Sequence, residues 1–108
     1  MMSEDDFERI AARALDEIEA ALGGVVEGLD YDLQAGGVIE IEFDDGTKMV
    51  INKHMAAQEI WVAAHSGGFH FRRDGDRWIG TRDGRELGVA LAELITAQLG
   101  TPISISLS

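Results

Sequence analysis

The chain has 108 residues, 45% of them hydrophobic, no cysteine and a formal charge of −11. That length supports a single domain over residues 1–108, burying roughly 65% of its unfolded surface around one core. The composition excludes disulfides, thiolate metal sites and cysteine nucleophiles, and no apolar run approaches the ~18 residues of a membrane span.

Residues 4–22 read as an amphipathic helix. Ser3 is placed to cap it, and Glu4, Asp5 and Asp6 fill the first turn, where negative charge suits the helix dipole. At ~100° per residue, Phe7, Ala11, Ala14, Leu15, Ile18 and Leu22 fall on one arc, which predicts the buried face. Gly23-Gly24 ends the helix. Asp5–Arg9 and Arg13–Glu17 have the spacing of i,i+4 ion pairs. Glu4, Glu8 and Glu19 have no base three or four positions away and are left for another task.

Residues 29–33 alternate, with Leu29, Tyr31 and Leu33 expected toward the core and Asp30 and Asp32 outward. Residues 38–44 form the next strand, with Ile39, Ile41 and Phe43 inward and Glu40, Glu42 and Asp44 outward. Asp45-Gly46 signals a hairpin into residues 47–52. There Met49 and Ile51 share the core face, and Lys48 is a cross-strand partner for an outward acid. Residues 59–62 place Ile60 and Val62 inward and Trp61 outward. Residues 63–68 read as a loop, 69–71 as a strand, and 77–79 as another, with Trp78 in the core. A second helix over about 86–99 carries Leu87, Leu91, Leu94, Ile95 and Leu99, and Gly100 and Pro102 stop it. Ile103, Ile105 and Leu107 alternate with serine in a tail expected against the core or a sheet edge.

Hairpin links imply antiparallel pairing, and two amphipathic end helices can cover one face of the sheet. The fold class is therefore α+β. It is a two-layer sandwich, with two terminal helices packed on one face of an antiparallel sheet of five to six strands.

No catalytic constellation stands out. There is no Gly-rich phosphate loop and no HExxH, and His54, His65 and His70 lack metal-ligand spacing. An enzyme is not expected. The charge is front-loaded: residues 1–45 carry fourteen acids against Arg9 and Arg13, and residues 46–108 carry six acids against seven bases. Such a surface is a poor partner for nucleic acid, which wants clustered Lys and Arg. Exposed carboxylates bind hard cations through oxygen, in sites that are shallow and weak without a preformed cage. On the residues alone, a solvated acidic face that keeps the protein soluble is the stronger account. Trp61, a large aromatic turned to solvent, suggests a binding surface, although lone exposed aromatics are common. With no charged-then-apolar leader and no membrane span, the protein is expected in the cytoplasm without a membrane role.

Four short motifs occur in order: Gly46-Thr47-x-x-Val50-Ile51-Asn52-Lys53, Ile60-Trp61, Gly75-Asp76-Arg77-Trp78 and Arg82-Asp83-Gly84. Together they resemble the frataxin family, and most of all its bacterial, CyaY-type members. With the acidic first helix, the resemblance covers essentially the whole chain. It implies the same two-layer fold. It also implies iron (Fe2+ or Fe3+) bound weakly on an acidic ridge, with no organic cofactor. That ridge would draw on Glu4, Asp5, Glu8, Asp16, Glu19, Glu27, Asp30 and Asp32. The resemblance further implies a protein-binding face at Asn52, Gln58 and Trp61 that meets a cysteine desulfurase and its iron–sulfur scaffold protein. The protein would then be an accessory or regulator of iron–sulfur cluster assembly, monomeric or forming iron-dependent oligomers. The chain departs from the family pattern at three places. Gly23-Gly24 stand where bacterial relatives often carry an acidic pair, Glu59 where Gln is usual, and Ala56 where Pro is usual. Two alternatives stay open: an iron store with ferroxidase activity, and an acidic interaction module with no metal role.

Overall fold

The structure, a computed structural model, describes residues 2–25 and 27–107. Its elements are α1 (Glu4–Gly23), β1 (Leu29–Gln34), β2 (Val38–Phe43), β3 (Lys48–His54), β4 (Glu59–Ala64), β5 (Gly67–Asp74), β6 (Arg77–Gly80) and α2 (Leu87–Leu99). The six strands lie side by side in chain order, each antiparallel to the next. Both helices pack on one face of this sheet and leave the other uncovered, which is the expected two-layer sandwich with six strands.

Ser3 caps α1 by accepting the Asp6 N–H at 3.1 Å. All six residues of the predicted arc are buried. Phe7, near the start of α1, meets Trp78 of β6 edge to face at 6.0 Å between centroids. Gly23, at its end, lies beside Tyr31 of β1. The helix therefore crosses the sheet and covers strands from both edges. Beneath it lie Leu29, Ile39, Ile41, Phe43, Met49, Ile51, Ile60, Val62 and Phe71, one face of each strand, as the period of two requires.

Glu86 caps α2, accepting the N–H groups of Gly88 at 2.8 Å and Val89 at 3.1 Å. The buried side of α2 is Leu87, Gly88, Ala90, Leu91 and Ile95, while Leu94 and Leu99 are half-buried at its margin. Gly88 is there for the tail. A Cβ at this position would stand 2.5 Å from the Ile105 carbonyl oxygen, so the tail crosses the first turn of α2 and buries Ile105. No helix among the described residues is long and apolar enough to cross a membrane.

Three local expectations need correction. Leu33 lies on the helix side of β1 as its parity demands, yet it is 51% exposed, because a cleft opens there between α1 and the β1–β2 turn. Residues 63–68 are not a loop. Ala64 pairs with Gly67, so β4 and β5 continue to a two-residue turn at His65-Ser66. Arg9 pairs with Asp6 at 3.1 Å, one residue along from the expected Asp5.

Candidate functional site

The uncovered sheet face is built by strand alternation and hairpin register. One row across it runs Gln34, Val38, Asn52, Trp61 and His70, each opposite the next. On one side of this row lie Asp32 opposite Glu40, and then Asp30 opposite Glu42 opposite Lys48. On the other side lie His54, Glu59, Arg72 and Ile79. The face therefore runs from an acidic edge on β1–β2, over an aromatic centre, to a charge-balanced end on β5, where Arg72 pairs with Glu59 and Asp74 stands opposite Arg77.

Trp61 is half-buried. His54 stacks on it at 3.8 Å between centroids and 14° between planes, and His70 at 4.4 Å and 10°. The indole is thus sandwiched between two imidazoles. His54 is held in turn, its Nδ1 accepting the Ala57 N–H at 3.2 Å. The Trp61 Nε1–H donates to Glu59 Oε1 at 2.8 Å, and Arg72 donates to Glu59 Oε2 at 2.6 Å. Burial pushes the Glu59 carboxyl up. Hydrogen bonds from Trp61 and Arg72, with the charges of Arg72 and His70, outweigh that push and hold it below the usual carboxylate range. Sequence reasoning had read these histidines singly and treated Glu59 only as a departure from Gln. The cluster depends on the β4–β5 register, which the supposed loop over 63–68 concealed.

The other two residues of the expected docking face are placed differently. Asn52 lies directly opposite Trp61, its Nδ2 donating to the Lys53 carbonyl at 3.2 Å. Gln58 has a left-handed φ of 54°, and its side chain turns to the helix layer, donating to the Met2 carbonyl at 2.6 Å. It is not part of the row that holds Asn52 and Trp61.

The eight ridge acids do not form one cluster. Glu4 and Asp5 are exposed in the first turn of α1. Glu8, Asp16 and Glu19 line a cleft of about 460 Å3, shared with Leu15, Leu33 and Lys53. Glu8 is not free there: the Lys53 ammonium forms a salt bridge with it from β3, a partner 45 residues away that helical spacing could not show. Glu27 borders a separate cleft between the end of α1 and the tail. Asp30 and Asp32 point to the opposite side of the sheet, each facing a glutamate. Of these glutamates, Glu40 has Lys48 at 3.8 Å and the Gln34 amide at 3.4 Å. Among the described residues, no three His, Asp or Glu side chains come close enough together to hold a metal ion. What the surface offers is hard oxygen donors, singly and in facing pairs, open to water.

A family model described as a frataxin-like domain matches residues 1–101. An iron–sulfur cluster assembly protein CyaY from Cupriavidus taiwanensis is 47% identical over 106 residues, covering 95% of this chain and 96% of that one. One of the same name from Dechloromonas aromatica is 48% identical over 102 residues, covering 94% and 97%. Among solved structures, the frataxin of Psychromonas ingrahamii superposes with a TM-score of 0.89 at 25% identity, covering 97% of this chain and 99% of that one. Trimeric frataxin of the yeast Saccharomyces cerevisiae, in its ferrous complex, gives a TM-score of 0.67 at 25% identity, covering 94% and 89%. Sequence motifs, fold and relatives agree, and the chain belongs to the frataxin family, among its bacterial, CyaY-type members.

Proposed function

We propose that this protein is a non-enzymatic accessory of iron–sulfur cluster assembly that docks on a cysteine desulfurase and its scaffold protein and carries iron weakly on its acidic surface. The observation that carries the docking half is the uncovered sheet face, where Asn52 stands opposite Trp61 at the centre of a patterned row. A half-buried aromatic at the centre of an open sheet face is the kind of residue that anchors protein interfaces. Its relatives' shared name, iron–sulfur cluster assembly protein, supplies the setting. In this reading Asn52 and Trp61 touch the partner, and Gln58 shapes the turn that leads into β4.

For iron the support is the chemistry of the donors. Carboxylate oxygens suit a hard cation, and Asp30 opposite Glu42 and Asp32 opposite Glu40 bring like charges face to face, which a cation relieves. With no three-ligand cage, Fe2+ or Fe3+ would keep most of its water and exchange readily. We read the ion as cargo. The ridge would comprise Glu4, Asp5, Asp16, Glu19, Glu27, Asp30 and Asp32, with Glu8 competing against Lys53. The ferrous complex of the trimeric yeast relative supports both contact with ferrous iron and assembly beyond a monomer, and iron would promote that assembly here. A cytoplasmic setting completes the reading.

The test is binding to the desulfurase–scaffold pair of the same organism across ionic strength. Wild type is expected to bind at low salt and weaken as salt rises, because opposed charges across an interface are screened. Trp61→Ala is expected to bind at least tenfold more weakly. Absence of binding at low salt, or equal binding by Trp61→Ala, would reject docking through this face.

A further inference from the structure

One group on the open face has no task in the docking reading: Glu59, a carboxylate only 5% exposed on a face otherwise open to water. Burying a carboxylate is costly unless it is hydrogen-bonded and paired. Here both oxygens are used, Oε1 by the Trp61 Nε1–H and Oε2 by Arg72. His70 Nδ1 stands a further 3.8 Å from Oε1. Residues i and i+2 of a strand share a face, so Glu59 lies beside Trp61 on β4, and the β4–β5 register brings Arg72 opposite Glu59 and His70 opposite Trp61. His54 closes the second face of the indole. A tryptophan standing alone on a sheet samples several rotamers, which a partner must freeze on binding. This one has its N–H tethered and both ring faces covered.

We propose that Glu59, anchored by Arg72, is a positioning residue for docking: it holds Trp61 in one orientation before the partner arrives. The inference rests on the docking reading above. The indole N–H is already engaged, so the partner recognises the ring edge and the flanking imidazoles by contact, and no hydrogen bond from Trp61 crosses the interface.

The test uses Glu59→Gln, Glu59→Leu, Trp61→Ala and the Glu59→Leu/Trp61→Ala double variant, with the desulfurase–scaffold pair as probe. Two quantities are read: solvent exchange of the indole N–H by NMR, with buried Trp78 as internal control, and binding affinity. Glu59→Gln keeps an acceptor for the indole, so it is expected to retain slow exchange and to bind within about twofold of wild type. Glu59→Leu is expected to speed exchange at Trp61 but not at Trp78. It should weaken binding about three- to tenfold, the usual cost of immobilising one side chain on association. In the Trp61→Ala background, Glu59→Leu should change affinity no further. Arg72→Gln, which leaves the buried carboxylate in place, should move both readouts the same way by less, and it stands in if Glu59→Leu does not fold. Fast Trp61 exchange with wild-type affinity would overturn the proposal, and so would an equal loss with or without Trp61. If Trp61→Ala binds like wild type, the docking reading falls and takes this inference with it. If Trp61→Ala binds weakly and Glu59→Leu does not, this inference alone falls.

Discussion

If the α1 cleft takes a cation as proposed, Lys53 is the residue that limits it. By strand alternation it faces the helix layer with Met49 and Ile51, and its side chain is only 13% exposed. Its stem runs beneath Gly37, where an added Cβ would come within 2.7 Å of the lysine Cε, and its ammonium pairs with Glu8. Lys53→Met keeps the stem and removes the charge. A divalent ion held ~7 Å from an ammonium in a water-like dielectric is repelled by about 1 kcal/mol. Removing that repulsion, and freeing Glu8, should raise ferrous affinity at the cleft about fivefold at low ionic strength, and by less at 0.15 M salt, where the Debye length is about 8 Å. The lost ion pair is half open on the glutamate side, so the stability penalty should stay near 1 kcal/mol or below. The assay is an anaerobic ferrous titration followed by backbone amide shifts in wild type and Lys53→Met, with calcium as control. Larger shifts over residues 8–19, saturating at lower iron, are expected in the variant. Unchanged affinity, or shifts confined to residues 30–32 in both proteins, would refute the role given to Lys53. Equal responses to iron and calcium would mark the surface as a general carboxylate one.

Two further outcomes follow from packing and from linkage. Gly88→Ala gains about 1 kcal/mol of helix propensity, but its Cβ meets the Ile105 carbonyl and displaces the tail, which loses about 1.5–3 kcal/mol of buried isoleucine. The full-length variant should therefore melt several degrees lower in a thermal scan. A stabilised full-length variant would show that the tail does not pin α2. The second outcome concerns pH. The folded carboxyl of Glu59 is held below its ordinary value of 4.5, so its contribution to stability is present above that pH and is lost as pH falls through the lowered folded value. Denaturant titrations of wild type and Glu59→Gln should show a wild-type advantage at pH 7 that shrinks below pH 4.5, and an advantage that grew on acidification would contradict the pairing with Arg72.

Periodicity made the elements and their faces legible. The arc of α1 could be read residue by residue, because six apolar side chains at helical spacing must share one side, and all six are buried. The strand faces of Ile39, Ile41, Met49, Ile51, Ile60 and Val62 were legible for the same reason. Leu33 shows where such reasoning stops: parity fixes the side a residue points to, but not whether a helix covers it. The long-range partners were hidden. Lys53 reaches Glu8 only because α1 crosses the sheet at that point, and nothing within a few residues of either announces it. The stack of His54, Trp61 and His70 would have followed from a two-residue turn at 65–66. His65-Ser66 lacks the Asn-Gly or Asp-Gly signature that betrayed Asp45-Gly46, so the register stayed unread.

The layout of the open face argues for a partner that reads direction as well as shape. Asp30, Asp32, Glu40 and Glu42 crowd the β1–β2 edge, where Lys48 is the one base in the facing rows. At the opposite end Arg72 is paired with the buried Glu59, and Trp61 lies between. A uniformly acidic face would attract any basic surface in any rotation. A face acidic at one end only draws a basic patch to that end, and the reverse rotation forgoes the attraction. In the proposed docking, charge would set orientation during approach, and a tryptophan held by Glu59 would supply the contact once orientation is set. The acids on α1 lie on the helix layer, outside that footprint. Under the proposed function a cation on the α1 acids would leave the docking face uncovered, whereas one held at Asp30 or Asp32 would sit on that face and compete with the partner.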